Sequence, residues 1–270
     1  MQIEGVKKIA FLICAKNCSK DIDETIFQSK RICSLFKNSI ILIAENDSID
    51  DTSKKIKEYS NKGEVKYFNF DGLDSQLNSR TQRLAFLRNF LLNKVKDECD
   101  YVIISDADSV LKNFDLSGII NSFCIPLQNW DVIGANCNDR YYDVWTLRTK
   151  TFDYNCWDLI NHKRQAGVHD LITIPSIIAK NQVAIPKNKD LIEVDSCFGG
   201  LAIYKSSSIK DAEYDGKLKN CECLRHNILG KCIDEISEHV PFNKKIKENG
   251  GKIFINPKLI INCQTEHLMS

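Results

Sequence analysis

Throughout its amino-terminal half the chain alternates short apolar runs with stretches of helical spacing, and this alternation restricts the fold more than any other feature. Residues 9–14, 39–44, 65–70 and 101–105 read as strands. Between them lie 21–36, with apolar Ile22, Ile26, Ile32 and Leu35 at helical intervals, then 52–60 and 81–95. Strands separated by helices predict an α/β fold with a mostly parallel sheet covered on both faces. Right-handed crossovers make such a sheet doubly wound. After Asp108 the pattern loosens. Strands are expected at 130–135, 201–204, 253–255 and 259–261, whereas 136–186 is rich in aromatic, polar and turn-forming residues and yields no boundaries. No repeat, low-complexity run or Pro/Gly-rich linker divides the chain. It therefore reads as one domain over 1–270, with a regular half at 1–110 and an irregular half at 111–270 that builds the substrate side.

With 43% hydrophobic and 27% charged residues the composition is that of an ordinary globular protein. A net charge of +1 gives no overall pull towards nucleic acid or anionic lipid. The lysines at 54, 55 and 57 read as a solvated helix face. No segment approaches the roughly 20 apolar residues of a membrane span. The run 9–14 is shorter than a signal-peptide core of roughly 7–15 residues. The expectation is a cytoplasmic protein, with at most peripheral association with a membrane. Twelve cysteines are many, yet no Cys-x-x-Cys pair occurs and several sit in apolar runs, where thiols behave as small hydrophobes. Cys221, Cys223, His226 and Cys232 form the nearest approach to a metal cluster, but their spacing differs from the common structural zinc patterns.

Chemistry gathers at the ends of the expected strands. The run Tyr101–Ser105 leads into Asp106-Ala107-Asp108, and the carboxyl ends of strands are where open α/β sheets hold ligands. In an extended chain residues i and i+2 face the same side. The two carboxylates can thus address one oxygen-ligated cation, Mg²⁺ or Mn²⁺, which could in turn meet a diphosphate. Ala15-Lys16-Asn17 follows the first strand and Glu45-Asn46-Asp47-Ser48 the second. Such residues also serve as helix N-caps, but three polar loops on one edge favour a binding site. Arg80, Arg83 and Arg88 lie on the next helix, as a solvated basic face or as bidentate partners of a diphosphate. Asp195 precedes Gly199-Gly200 and an apolar strand; the glycines suggest a close backbone approach, a bulge or a plain turn. Near the end stand Glu238-His239 and Glu266-His267. Either histidine could complete a metal shell, and Glu238 could act as general base.

As an ordered set these segments resemble the nucleotide-sugar-dependent glycosyltransferases of GT-A fold. The set continues through Trp130–Asn136, Tyr141–Arg148, Phe198-Gly199-Gly200 and Glu238–Asn243. Within that fold the likeness is greatest to the capsule-associated mannosyltransferases of fungi and similar bacterial and viral enzymes. It implies a divalent metal, Mn²⁺ or Mg²⁺, held by Asp106 and Asp108 with His267 as third ligand. It implies a nucleotide held by Ala15, Lys16, Asn17, Glu45, Asp47, Arg80, Arg88 and Ala107, with a UDP-sugar as first donor and GDP-mannose as second. Gly199, Gly200 and Asp195 would border the donor sugar, and Glu238 would be the acceptor-side acid. The acceptor would be a glycan, glycolipid or protein hydroxyl. Ser237 departs from the pattern, because related sequences often carry cysteine directly before the Glu-His pair; this loosens the alignment of Glu238. A base on the face opposite the leaving group would invert configuration, and its absence would favour a retaining route; the residues leave both open.

Two other enzymes share parts of this signature. A haloacid-dehalogenase-type phosphatase would use Asp106 as nucleophile and Asp108 as acid/base. That motif usually lies on the first strand and is followed by a Gly-Asp loop, which this chain lacks. A nucleotidyltransferase would usually carry a Gly-rich loop after the first strand, where Ala15-Lys16-Asn17 stands. A non-catalytic sugar-nucleotide-binding protein is the remaining alternative, although both aspartates are retained.

Overall fold

A computed structural model describes residues 2–217 and 235–263. One eight-stranded sheet runs through it in the order β3-β2-β1-β4-β7-β5-β8-β6. The strands are β1 (Ile9–Ala15), β2 (Ser39–Glu45), β3 (Lys66–Asn69), β4 (Tyr101–Asp106), β5 (Val132–Cys137), β6 (Ile192–Val194), β7 (Leu201–Lys205) and β8 (Ile253–Ile261). Strands β3, β2, β1 and β4 are mutually parallel, β7 is antiparallel to β4 and β5, and β6 is antiparallel to β8. The α/β, mostly parallel sheet expected from the alternation is therefore present.

Alternation along β1 shows how the sheet is covered. Ile9, Phe11 and Ile13 enter one core with Ile22, Ile26 and Ile32 of α1 (Ile22–Cys33). Ala10 and Leu12 enter the other with Leu87, Leu91 and Leu92 of α4 (Arg80–Asn93). A strand buried on both sides must be apolar at successive positions, which is why these runs are continuous. Helices α2 (Thr52–Asn61) and α3 (Leu73–Gln76) complete the first half. Helix α1 begins with Asp23 and Glu24 and ends with Lys30 and Arg31, matching its dipole. The side chain of Ser79 caps α4 by accepting a bond from the Gln82 N–H, 3.3 Å.

The second half holds helices that the sequence pattern did not delimit. Helix α5 (Ser117–Cys124) packs on β8. Helices α6 (Cys156–Gln165) and α7 (Asp170–Ile177) pack together over a separate core that includes Val144, Phe152 and Ile160. The final helix α8 (His239–Glu248) carries Pro241 in its first turn, where a missing N–H costs no helical bond. The two late strands expected at 253–255 and 259–261 are one strand, β8, whose register against β5 shifts between Ala135 and Asn136. Pro257 lies within the shifted stretch, where a residue with no N–H is tolerated. Its carbonyl accepts a bond from the Asn136 amide. The described cysteines are all unpaired thiols. Among the described residues no helix is long and apolar enough to cross a membrane. The cluster Cys221, Cys223, His226 and Cys232, and with it His267, lies outside the described residues.

At Gly118 of α5 a methyl group would stand 2.7 Å from the Leu259 Cα and the Lys258 carbonyl oxygen. Both obstacles are β8 backbone, so they cannot turn aside. Gly118→Ala is expected to destabilise the fold by about 1–3 kcal/mol through overpacking. Chemical denaturation followed by circular dichroism measures this, and an unchanged midpoint would contradict the close α5–β8 packing.

Candidate active site

Strand register assembles the site. Ala15 at the end of β1 lies opposite Glu45 at the end of β2, and Cys14 lies opposite Asp106 at the end of β4. The three polar loops therefore share one edge, as the sequence predicts. Two cavities open there. One, of about 340 Å³, is lined by Ala15, Lys16, Asn17, Asn46, Arg83 and Ala107 among others. The other, of about 570 Å³, is lined by second-half residues that include Tyr142, Asp143, Trp145, Trp157, Phe198 and Glu238. Arg80, Leu84, Asp106 and Asp108 line both, so the carboxylate pair stands where the two spaces meet.

Asp106 is held from two directions. Its backbone N–H donates to the Gly200 carbonyl at 3.0 Å, and Arg88 Nη2 donates to its Oδ1 at 3.0 Å. Asp108 is different. Burial first, and the nearby Asp106 charge second, push its carboxyl up to about 7. Its Oδ1 is buried and accepts no hydrogen bond. Two carboxylates crowded together, one with an orphaned oxygen, are a donor set that a hard divalent cation would satisfy. Among the described residues no third His, Cys, Asp or Glu joins them in a ligand group.

Arg88 does not meet the role the sequence suggested. Its side chain is 4% exposed and is ion-paired on one side with Asp106 and on the other with Glu238. The guanidinium also lies 5.1 Å from the Phe198 ring centroid and 5.7 Å from that of Tyr214. An arginine so enclosed organises carboxylates instead of reaching a diphosphate. Arg80 stays available for that: it is exposed, lines both cavities and pairs with no carboxylate among the described residues. Arg83 is committed to Asp74 at 2.9 Å and to the Leu77 and Asn78 carbonyls. Lys16 also pairs with Asp74.

Several other expected site residues are engaged within the chain itself. Glu45 is fully buried, accepting bonds from the Ser48 N–H and from the Ser53 and Tyr67 hydroxyls. Asp47 accepts from the Gly72 and Asp74 N–H groups, and these bonds outweigh desolvation and hold its carboxyl low. Both carboxylates shape the loop, and Asn46 between them lines the cavity. Gly199 and Gly200 have φ of +69° and +91°. A methyl group on Gly199 would meet the Ala135 carbonyl oxygen at 2.6 Å, and one on Gly200 the Tyr142 hydroxyl at 2.7 Å. Their close approach is to this chain's own atoms, not to a cavity. Asp195 lines neither cavity and lies 3.6 Å from Lys247.

Glu238 does line the larger cavity, but its carboxylate is already the partner of Arg88. His239 stacks on Phe198 at 3.8 Å and its Nδ1 lies 3.3 Å from the Tyr204 hydroxyl. Burial, and then the Arg88 charge, keep the imidazole neutral. Asp143 was missed as a separate carboxylate by sequence reasoning, although it sits in the Tyr141–Arg148 segment. It accepts bonds from the Gly199 N–H (2.9 Å) and the Thr146 N–H (3.3 Å). Desolvation raises its carboxyl despite those bonds and the Arg88 charge.

No protein-family model matches the sequence, and no curated protein does. Solved structures do. The mannosyltransferase PcManGT of Pyrobaculum calidifontis, in complex with GDP-Man and Mn²⁺, superposes with a TM-score of 0.52 at 12% identity, over 97% of this chain and 58% of that one. TarS of S. aureus, residues 1–349 in complex with UDP-GlcNAc, gives a TM-score of 0.47 at 14% identity, over 95% and 58%. Glucosyl-3-phosphoglycerate synthase of M. tuberculosis gives 0.40 at 10% identity, over 75% and 58%. The chain spans a little under three fifths of the length of these structures. The superposition on the mannosyltransferase establishes the GT-A fold.

Replacing Arg88 with Met would strip the buried Glu238 carboxylate and the half-buried Asp106 of the guanidinium they share. A loss of about 3–5 kcal/mol is expected, the magnitude for breaking a buried ion pair. Urea denaturation measures it; a loss below about 1 kcal/mol would show that Arg88 is not the bridge described.

Proposed function

We propose that this chain is a metal-dependent glycosyltransferase that moves a sugar from a nucleoside diphosphate donor to a hydroxyl acceptor. The observation that carries the reading is the Asp106–Asp108 pair at the junction of two cavities. One cavity is walled by the β1 and β2 loops and by arginines, which suits a nucleotide and its diphosphate. The other is walled by aromatic and acidic groups of the second half, which suits a sugar and its acceptor. The GT-A fold shared with a mannosyltransferase supports the same division. In this reading the whole chain acts as one unit, with 1–110 as the nucleotide half and 111–270 as the donor-sugar and acceptor half.

Asp106 and Asp108 would hold Mn²⁺ or Mg²⁺, and His267 is retained as a proposed third ligand. Bound there, a divalent cation offsets negative charge gathering on the departing nucleoside diphosphate. Arg80 contributes a fixed cation beside the same phosphates. The acceptor hydroxyl must lose a proton as it attacks the anomeric carbon. Asp143 fits that task better than Glu238, because protonating Glu238 would strip the buried Arg88 of a counter-charge. A carboxylate raised by desolvation is also a stronger base near neutral pH. UDP-sugars remain the first donor class, with GDP-mannose second. A phosphatase using Asp106 as nucleophile fits less well, since Arg88 already binds its Oδ1.

A thermal-shift panel of UDP, GDP, CMP and their sugar conjugates, with and without Mn²⁺, tests the donor. A ligand at about 100 times its dissociation constant stabilises by about 2.7 kcal/mol. One nucleotide is expected to do so only with Mn²⁺, and Asp108→Ala is expected to abolish the effect with the fold intact. Stabilisation by no nucleotide would overturn the reading. Asp143→Asn is expected to keep the nucleotide shift and to lower kcat at least a hundredfold, the range for lost general-base catalysis. The acidic limb of the wild-type pH–rate profile should lie above the usual carboxylate range and vanish in that variant. Full turnover in Asp143→Asn would return the role of base to Glu238.

A further inference from the structure

The larger cavity has a built aromatic wall that the proposed chemistry leaves unused. Trp145 and Trp157 line it, both half-buried. One side chain fixes the Trp145 indole and the helix start that carries Trp157. Asn155, the N-cap of α6, accepts the Trp145 Nε1–H at 3.1 Å and the Trp157 backbone N–H at 3.2 Å. Its own amide donates to the Glu235 carbonyl at 3.0 Å, tying the wall to the segment that leads into α8. Behind the wall lies the core of Val144, Phe152, Cys156 and Ile160, so the rings rest on packed side chains. With its donor occupied, Trp145 can offer a ligand only the apolar ring.

Charge narrows the ligand. The described residues of this cavity include the carboxylates of Asp106, Asp108, Asp143, Glu235 and Glu238. Against them stand Arg88, paired with Asp106 and Glu238, and Arg80, at the junction with the other cavity. Away from that junction the described lining is acidic and aromatic, so an acceptor bearing phosphate or carboxylate would meet a negative field there. A neutral sugar avoids that cost. Its axial C–H face packs on the electron-rich face of an aromatic ring, while its hydroxyls donate to carboxylates and carbonyls.

We infer that Trp157 and Trp145, the latter fixed by Asn155, form the acceptor subsite for a neutral, unphosphorylated oligosaccharide. This rests on the transferase reading for its place in the reaction, but binding can be read without turnover.

The full chain, with Mn²⁺ and the nucleotide that stabilises it, is applied to an array of unsubstituted hexose and N-acetylhexosamine oligomers and their phosphorylated and uronic-acid counterparts. Retention of neutral oligomers in preference to the anionic ones is expected. Trp157→Ala should weaken retention about tenfold or more, and Trp157→Phe by no more than about threefold. Asn155→Ala, which frees the Trp145 indole and uncaps the helix that carries Trp157, should weaken it as well, and each variant should keep its Mn²⁺-dependent nucleotide shift. Trp130 is fully buried in the core, so a change in indole emission on titrating the best oligomer would report on the other two. Preference for phosphorylated glycans would overturn the inference. So would retention indifferent to Trp157→Ala, or no retention by a chain that still shows the nucleotide shift. Neutral-glycan binding through Trp157 in a chain that no nucleotide stabilises would uphold the subsite and sink the transferase reading instead.

Discussion

A single buried guanidinium organises the site. Arg88 brings its charge from α4 into a space where it is almost wholly removed from water, and such a charge persists only if it is paired. Its partners come from the two halves of the chain, Asp106 from β4 and Glu238 from the start of α8. The faces of Phe198 and Tyr214 add a further, weaker attraction. Removing any of the three charges exposes the others to the desolvation cost they share. The arrangement therefore locks β4, α4 and α8 together at the place where Asp106 must be aimed.

The rest of the site follows from the sheet edge. Parallel register brings the ends of β1, β2 and β4 into line, and the reversed β7 brings its first residues to the same edge. There the Gly200 carbonyl receives the Asp106 N–H while the Gly199 N–H is received by Asp143. Left-handed backbone at both glycines makes this double link possible, and no side chain fits beside Ala135 and Tyr142. The glycine pair thus sets the distance between the two acidic centres without touching either cavity.

How much of this was legible in the sequence depended on how local its cause is. The alternating elements of the first half were readable because burial on both faces forces continuous apolar runs. Asp106 and Asp108 were readable because a two-residue spacing at a strand end is a local geometric fact. Roles set by tertiary contacts were not. Arg88 reads as one more basic residue of a helix, and only packing reveals that it faces inwards. Glu45 and Asp47 read as ligands, yet nearby N–H and O–H groups claim their oxygens. Helices α6 and α7 could not be delimited because their apolar residues serve a small separate core and a cavity wall together, which blurs the period. The tryptophans they help to support appeared only within a run of aromatics.

The two cavities differ in charge, and that difference gives the arrangement its direction. Lys16, Arg80 and Arg83 line the smaller one, two of them steadied by Asp74. Carboxylates dominate the larger one. On the proposed reading, this asymmetry would drive a dianionic nucleoside diphosphate and a neutral sugar to opposite sides before any specific bond forms. Asp106 and Asp108 stand at the boundary, where a leaving diphosphate and an incoming hydroxyl would have to meet. Burial first, and their mutual repulsion second, raise the Asp108 carboxyl, while Arg88 offsets the charge of Asp106. On the proposed reading, an acidic pair at such a boundary, with one member fixed by a buried arginine, is what a divalent cation would complete.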